Sequence, residues 1–135
     1  MLSRELKTIF VHIPKTAGQS VEFVFLEAHG LTWDTRAPLL LRHNPEPEKG
    51  PERLAHLYAW EYVACGYVTE AEFEEFTTFA IVRDPYARIV SSFNYRNHKF
   101  TTIRDFCRSI QQSDYRDLAR HVAPQMKFLA ARDRE

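Results

Sequence analysis

Thr8-Ile9-Phe10-Val11-His12-Ile13 is a run of β-branched and aromatic residues broken only by His12. Such a run predicts a buried strand. Pro14 cannot donate to a ladder and stops it. Gly18 lets the backbone turn tightly, and the apolar-rich segment from Val21 to Ala28 predicts a helix over Gln19–His29, stopped by Gly30. A second strand is predicted over Thr77–Val82. It runs into Arg83-Asp84-Pro85, with Asp84 as N-cap, Pro85 at the first helical position, and a helix reaching about Asn97.

The other elements read less sharply. Leu31–Gly50, with Pro38, Pro45 and Pro47, is a loop with one candidate short strand at Leu39–Leu41. Pro51 suits the start of a helix to about Ala64, because Leu54, Leu57, Tyr58 and Glu61/Tyr62 recur at helical spacing; Gly66 ends it. Thr69-x-x-Glu72 is a capping box for a short acidic helix, Glu70–Phe76. Ile103, Phe106, Cys107 and Ile110 mark an amphipathic helix, followed by helices over Asp114–Val122 and Pro124–Ala131. This order predicts an α/β layer structure with parallel strands. Two clear strands are few for it. Either short strands near Leu39 and Tyr67 complete the sheet, or the chain lacks a piece of a fuller domain.

A length of 135 residues predicts one domain, 1–135, and 44% apolar with 27% charged residues makes it globular. The formal net charge of zero argues against nucleic-acid binding driven by bulk charge. Cys65 and Cys107 stand apart in apolar settings and read as buried free thiols. No Cys/His cluster suggests zinc, and no metal is expected. The first residues are too polar for a signal peptide, no apolar run has membrane-spanning length, and no Asn-x-Ser/Thr acceptor occurs. Together these favour a cytoplasmic protein.

The chemistry lies at the two strand ends. A strand, a short loop with lysine, hydroxyls and glycine, and then a helix make an anion cradle. Free N–H groups and the helix dipole face the ligand there, and Lys15 adds a mobile charge. Lys15 precedes Gly18, which is not the Walker order, so an ordinary Mg-ATP site is not expected. At the second strand end, Arg83 and Ser91, eight residues apart, pair a guanidinium with a hydroxyl, which suits a second phosphate. Arg88 is a third cation nearby.

Ile9-Phe10-Val11-His12-Ile13-Pro14-Lys15-Thr16-Ala17-Gly18 resembles the 5′-phosphosulfate loop of the sulfotransferase family. Phe79–Phe93 resembles that family's 3′-phosphate motif, with the same arginine–serine spacing. His56-Leu57-Tyr58-Ala59 and His121-Val122-Ala123-Pro124-Gln125 are similar to later elements of the branch that holds the carbohydrate sulfotransferases and their bacterial relatives. The resemblance implies a P-loop-NTPase-like three-layer fold with a small parallel sheet flanked by helices. It implies 3′-phosphoadenosine 5′-phosphosulfate (PAPS) as sulfate donor and an acceptor hydroxyl, on a glycan or glycolipid. Lys15, Thr16, Ala17, Gly18, Gln19 and Ser20 would hold the 5′ end, and Arg83 and Ser91 the 3′-phosphate. Gln19 stands where a small hydroxyl residue is usual. Family domains continue beyond the Pro-Gln segment, so the chain reads as an incomplete or minimal version.

Within that reading, Lys15 would stabilise charge on the bridging oxygen of the leaving phosphate. His56 is the first choice of general base and His43 the second. His12 reads as a packed or hydrogen-bonded histidine, and His98 and His121 as surface or structural. Trp33, Trp60 and the tyrosines read as core or rim rather than a sugar platform. The acidic run Glu70–Glu75 reads as a solvated helix face. The competing readings are a phosphoryl-transfer enzyme, disfavoured by the missing Gly-Lys-Ser/Thr, and an inactive nucleotide-binding relic.

Overall fold

The β-branched run at the start of the chain does form the middle of a sheet. The computed structural model describes residues 1–95, 100–110 and 116–130. Strand β1 (Leu2–Ser3) pairs antiparallel with β2 (Thr8–Phe10), and β2 pairs parallel with β3 (Thr77–Phe79), in the order β1-β2-β3. Thr8 faces Thr77 and Phe10 faces Phe79. One further rung, the Val11 N–H to the Phe79 carbonyl at 2.9 Å, closes the parallel ladder. Val11 and Ile13 stay fully buried beyond it, but the chain there is already leaving for the loop. Both strands are therefore shorter than the runs Thr8–Ile13 and Thr77–Val82. Beyond β3, Ile81 and Val82 are exposed.

The α/β class and the parallel β2–β3 pair stand as expected. The third described strand lies at the N-terminus and is antiparallel, not near Leu39 or Tyr67. Leu39 belongs instead to a 3-10 turn, Ala37–Leu39.

Helix α1 (Gly18–Ala28) follows the first loop, with its C-terminus turned by Gly30 at φ 61°. The expected helix from Pro51 to Ala64 is not one helix. It is a 3-10 turn, Leu54–His56, then an extended step, then the short α2 (Glu61–Ala64). Leu57, Tyr58 and Ala59 are all buried, so no side is left for a solvent face. The Ala59 N–H donates to the carbonyl of Phe128 at 2.8 Å rather than to its own turn. Helix α3 (Glu70–Glu75) carries the capping box: Glu72 N–H donates to Thr69 Oγ1 at 3.1 Å and Thr69 N–H to Glu72 Oε2 at 2.8 Å. Its exposed carboxylates pair with the β1–β2 hairpin, Glu72 with Arg4 and Glu75 with Lys7.

Helix α4 (Pro85–Tyr95) begins as the sequence implies, with the Ala87 N–H donating to Asp84 Oδ1 at 2.8 Å. Then come α5 (Ile103–Ile110), α6 (Arg116–Val122) and α7 (Gln125–Leu129). Asn97, His98, Asp114 and Ala131, named in the readings above, lie outside the described residues. Two apolar clusters sandwich the sheet. Ile9, Val11, Leu57, Tyr62 and Phe128 fill one, and Phe10, Leu26, Leu39 and Leu41 the other. Cys65 and Cys107 are free, but Cys65 is half-buried and Cys107 is exposed, which corrects the expectation of two buried thiols. Among the described residues no helix is long and apolar enough to cross a membrane.

Candidate functional site

The loop from Pro14 to Ala17 is shaped by two non-glycine residues. Lys15 and Ala17 take left-handed backbone angles, φ 70° and 67°. Gly18 is needed for another reason: a Cβ there would lie 2.2 Å from the His12 ring. The tight turn assigned to Gly18 is thus made by its neighbours, and Gly18 supplies room. Thr16 is buried, and its hydroxyl donates to the Ile13 carbonyl at 2.8 Å, bracing the loop. Ala17, Gln19 and Ser20 are exposed at the start of α1.

One cavity of about 200 Å³ opens over this loop, lined by His12, Lys15, Ala17, Gly18, Gln19, Arg53, His56, Tyr95 and His121. Lys15 Nζ sits 4.3 Å above the Tyr95 ring centroid. His56, in the turn before α2, lies edge-on to His12 at 5.3 Å and to His121 at 5.0 Å between centroids. His121 is thus buried in the cavity wall and not at the surface. The resemblance matched His121, but sequence reasoning missed its place in the cavity, because a lone histidine on a short helix carries no spacing signal. A second cavity of about 240 Å³ shares the wall made by His12, Gln19, Arg53 and His56, and adds Trp33, Arg36 and Arg42. His43 lines this second space but not the cavity over the loop, and pairs with Glu52 at 3.4 Å. Trp33 stacks on Phe23 there, whereas Trp60 packs on the other apolar cluster, so the tryptophans form no common platform.

Arg83 is exposed at the end of the β3 segment, and its guanidinium donates to the Lys15 carbonyl at 3.3 Å. The two strand ends therefore touch. Ser91 is half-buried on α4 and is not in the cavity wall. Arg88, taken from sequence as a third cation for the ligand, is instead buried. It donates to the carbonyls of Pro14 at 2.9 Å, Ala123 at 2.8 Å and His121 at 3.0 Å. Burial pulls its pKa below the ordinary guanidinium value. Arg120 grips Glu61 through two bonds of 2.6 Å and also donates to the His56 carbonyl at 3.0 Å. Arg88 and Arg120 thus hold the backbone of the loop and of the histidines in place. Among the described residues no group of histidines, cysteines and carboxylates is set to hold a metal.

A lysine and a row of imidazoles around a strand–loop–helix cradle, joined to an arginine at the neighbouring strand end, define an anion-handling α/β domain equipped for group transfer. A model of the sulfotransferase family matches residues 1–132. The chain belongs to that family, and the activity it carries is sulfuryl transfer. No curated protein matches the chain, and no solved structure does.

Proposed function

We propose that this sulfotransferase uses PAPS as donor and a carbohydrate hydroxyl as acceptor. The observation that carries the reading is that Lys15, Gly18 and three imidazoles line one cavity whose rim leads to Arg83. A phosphosulfate group is of a size with that space. Bound there, the donor supplies the sulfuryl group and a phosphate that leaves with the electrons of the S–O bond. Lys15 neutralises the charge growing on that oxygen. His56 accepts the proton of the acceptor hydroxyl as its oxygen bonds to sulfur. Thr16 braces the loop, and Ala17, Gly18, Gln19 and Ser20 present the first turn of α1 to the 5′ end. Arg83 and Ser91 hold the 3′-phosphate. The second cavity, on the other side of His12 and His56, receives the acceptor. Free thiols suit a reducing compartment, and we place the reaction in the cytoplasm.

Transfer of labelled sulfuryl from PAPS to a panel of glycans and glycolipids tests this. Lys15→Ala is expected to lower turnover by about 10²–10³-fold, and His56→Ala by about 10²–10⁴-fold. Full activity in His56→Ala would remove that residue from the role of base.

A further inference from the structure

His12 and Glu22 form a buried pair that the transfer scheme leaves unused. Glu22 is 2% exposed and His12 7%. Nδ1 of His12 donates to Glu22 Oε1 at 2.6 Å. The bond joins the end of the β2 segment to the second turn of α1, directly under the phosphosulfate loop. It also fixes what the rest of the ring does. With Nδ1 committed, Cδ2 and Nε2 are the edge that abuts Gly18, and the ring lines the cavity above the loop. A neutral ring in this state presents a lone pair at Nε2. A lone pair facing an incoming anion repels it, whereas a protonated Nε2 donates to it. A buried carboxylate on the far side of the ring stabilises the cation.

We propose that His12, backed by Glu22 as its positioning residue, is a further anion-contacting residue of the cradle, and that it takes up one proton at Nε2 when the 5′-phosphate or phosphosulfate of the nucleotide binds. The inference rests on the PAPS reading above. The charges that face this group come from every side. Lys15 of the loop, Arg53 and His56 of the segment before α2, Tyr95 of α4 and His121 of α6 line the same cavity, and Arg36, Arg42 and His43 face the pair from the second cavity, which His12 and Glu22 both line. Behind Glu22, the Met1 ammonium and the Tyr62 hydroxyl feel its charge. Lys15 and Arg53 stand beside the place of the anion, and the bound anion is the acceptor that a protonated Nε2 would meet.

The test is calorimetric titration of the full chain with 3′-phosphoadenosine 5′-phosphate, near neutral pH, in two non-phosphate buffers of different ionisation enthalpy. The expected result is a buffer-dependent heat equal to about one proton taken up. In Glu22→Gln the uptake is lost and affinity falls about tenfold, as expected for one lost pK unit of coupling; Glu22→Asp restores part of both. If a variant does not fold, ¹⁵N-histidine spectra of the wild type serve instead, with Nε2 of His12 moving to its protonated position on addition of the nucleotide. Binding with no proton uptake and no change at Nε2 overturns this inference and leaves the donor reading intact. Absence of nucleotide binding removes the donor reading, and the inference with it.

Discussion

Gln125 pairs with both backbone groups of Arg83: the Arg83 N–H donates to Gln125 Oε1 at 2.9 Å, and Gln125 Nε2 donates to the Arg83 carbonyl at 2.7 Å. The amide thus acts as a missing strand partner at an exposed edge, and it fixes the direction in which the guanidinium leaves the backbone. Gln125→Ala is expected to weaken binding of 3′-phosphoadenosine 5′-phosphate by about tenfold, the loss of roughly one well-placed hydrogen-bonding contact. Global stability changes little, because the site is exposed. Gln125→Glu keeps the acceptor, loses the donor and adds a negative charge near the proposed 3′-phosphate site, so it is expected to bind more weakly still. Calorimetry of the three proteins checks the order.

Arg88 ties three carbonyls from separate parts of the chain. Arg88→Met removes the donors and strands the carbonyls of Pro14, His121 and Ala123, at a cost of about 3 kcal/mol or more. Arg88→Lys does not restore it, because an ammonium lacks the planar fork that reaches three acceptors. Urea unfolding of both variants reads this. Equal midpoints for wild type and Arg88→Lys would contradict the assigned role.

Gly18 and Gly30 separate two reasons for glycine. Gly18→Ala drives a Cβ into the His12 ring and is expected to cost about 1–3 kcal/mol while also shutting the cradle to nucleotide. Gly30→Ala meets nothing within 4 Å but sits at φ +61°, so it costs about 1–2 kcal/mol and leaves nucleotide binding unchanged. Denaturant midpoints combined with nucleotide titrations distinguish the two.

These residues also mark how far sequence reading reaches. Thr8–Phe10, Thr77–Phe79, α1, the Thr69–Glu72 box and the Asp84 cap were legible because each rests on local pattern: a β-branched run, a helical stripe, a cap at fixed spacing. Leu2–Ser3 was not, since two residues carry no period. The segment from Pro51 to Ala64 misled because the buried run His56–Ala59, with Leu54 before it and Tyr62 after it, leaves an accidental helical spacing among its apolar residues. Lys15 and its loop were recognisable from residue types in order. The bonds of Arg88 and Arg120 were not, because an arginine that serves distant carbonyls looks in sequence like any surface cation. His121 was matched by family resemblance, yet its place beside His56 depends on the packing of α6.

The capping box makes a pH-dependent contribution. The Glu72 carboxyl is held below the usual carboxylate range, first by the Thr69 backbone N–H and also by Arg4. Its contribution is present above the unfolded carboxylate pKa and is lost as pH falls through the lower folded value. Carboxyl chemical shifts are expected to show Glu72 titrating below the usual glutamate range, and Thr69→Pro, which removes that N–H at a compatible φ of -77°, should move it back towards that range.

The central claim is that two strand-end sites, one at Lys15 and one at Arg83, bind a single nucleotide carrying phosphates at both ends. Competition calorimetry between 3′-phosphoadenosine 5′-phosphate and Mg-ATP, on wild type and Arg83→Ala, tests it most directly. The bisphosphate is expected to bind more tightly than Mg-ATP and to lose about tenfold or more in Arg83→Ala. A preference for Mg-ATP, or bisphosphate binding indifferent to Arg83, would contradict it.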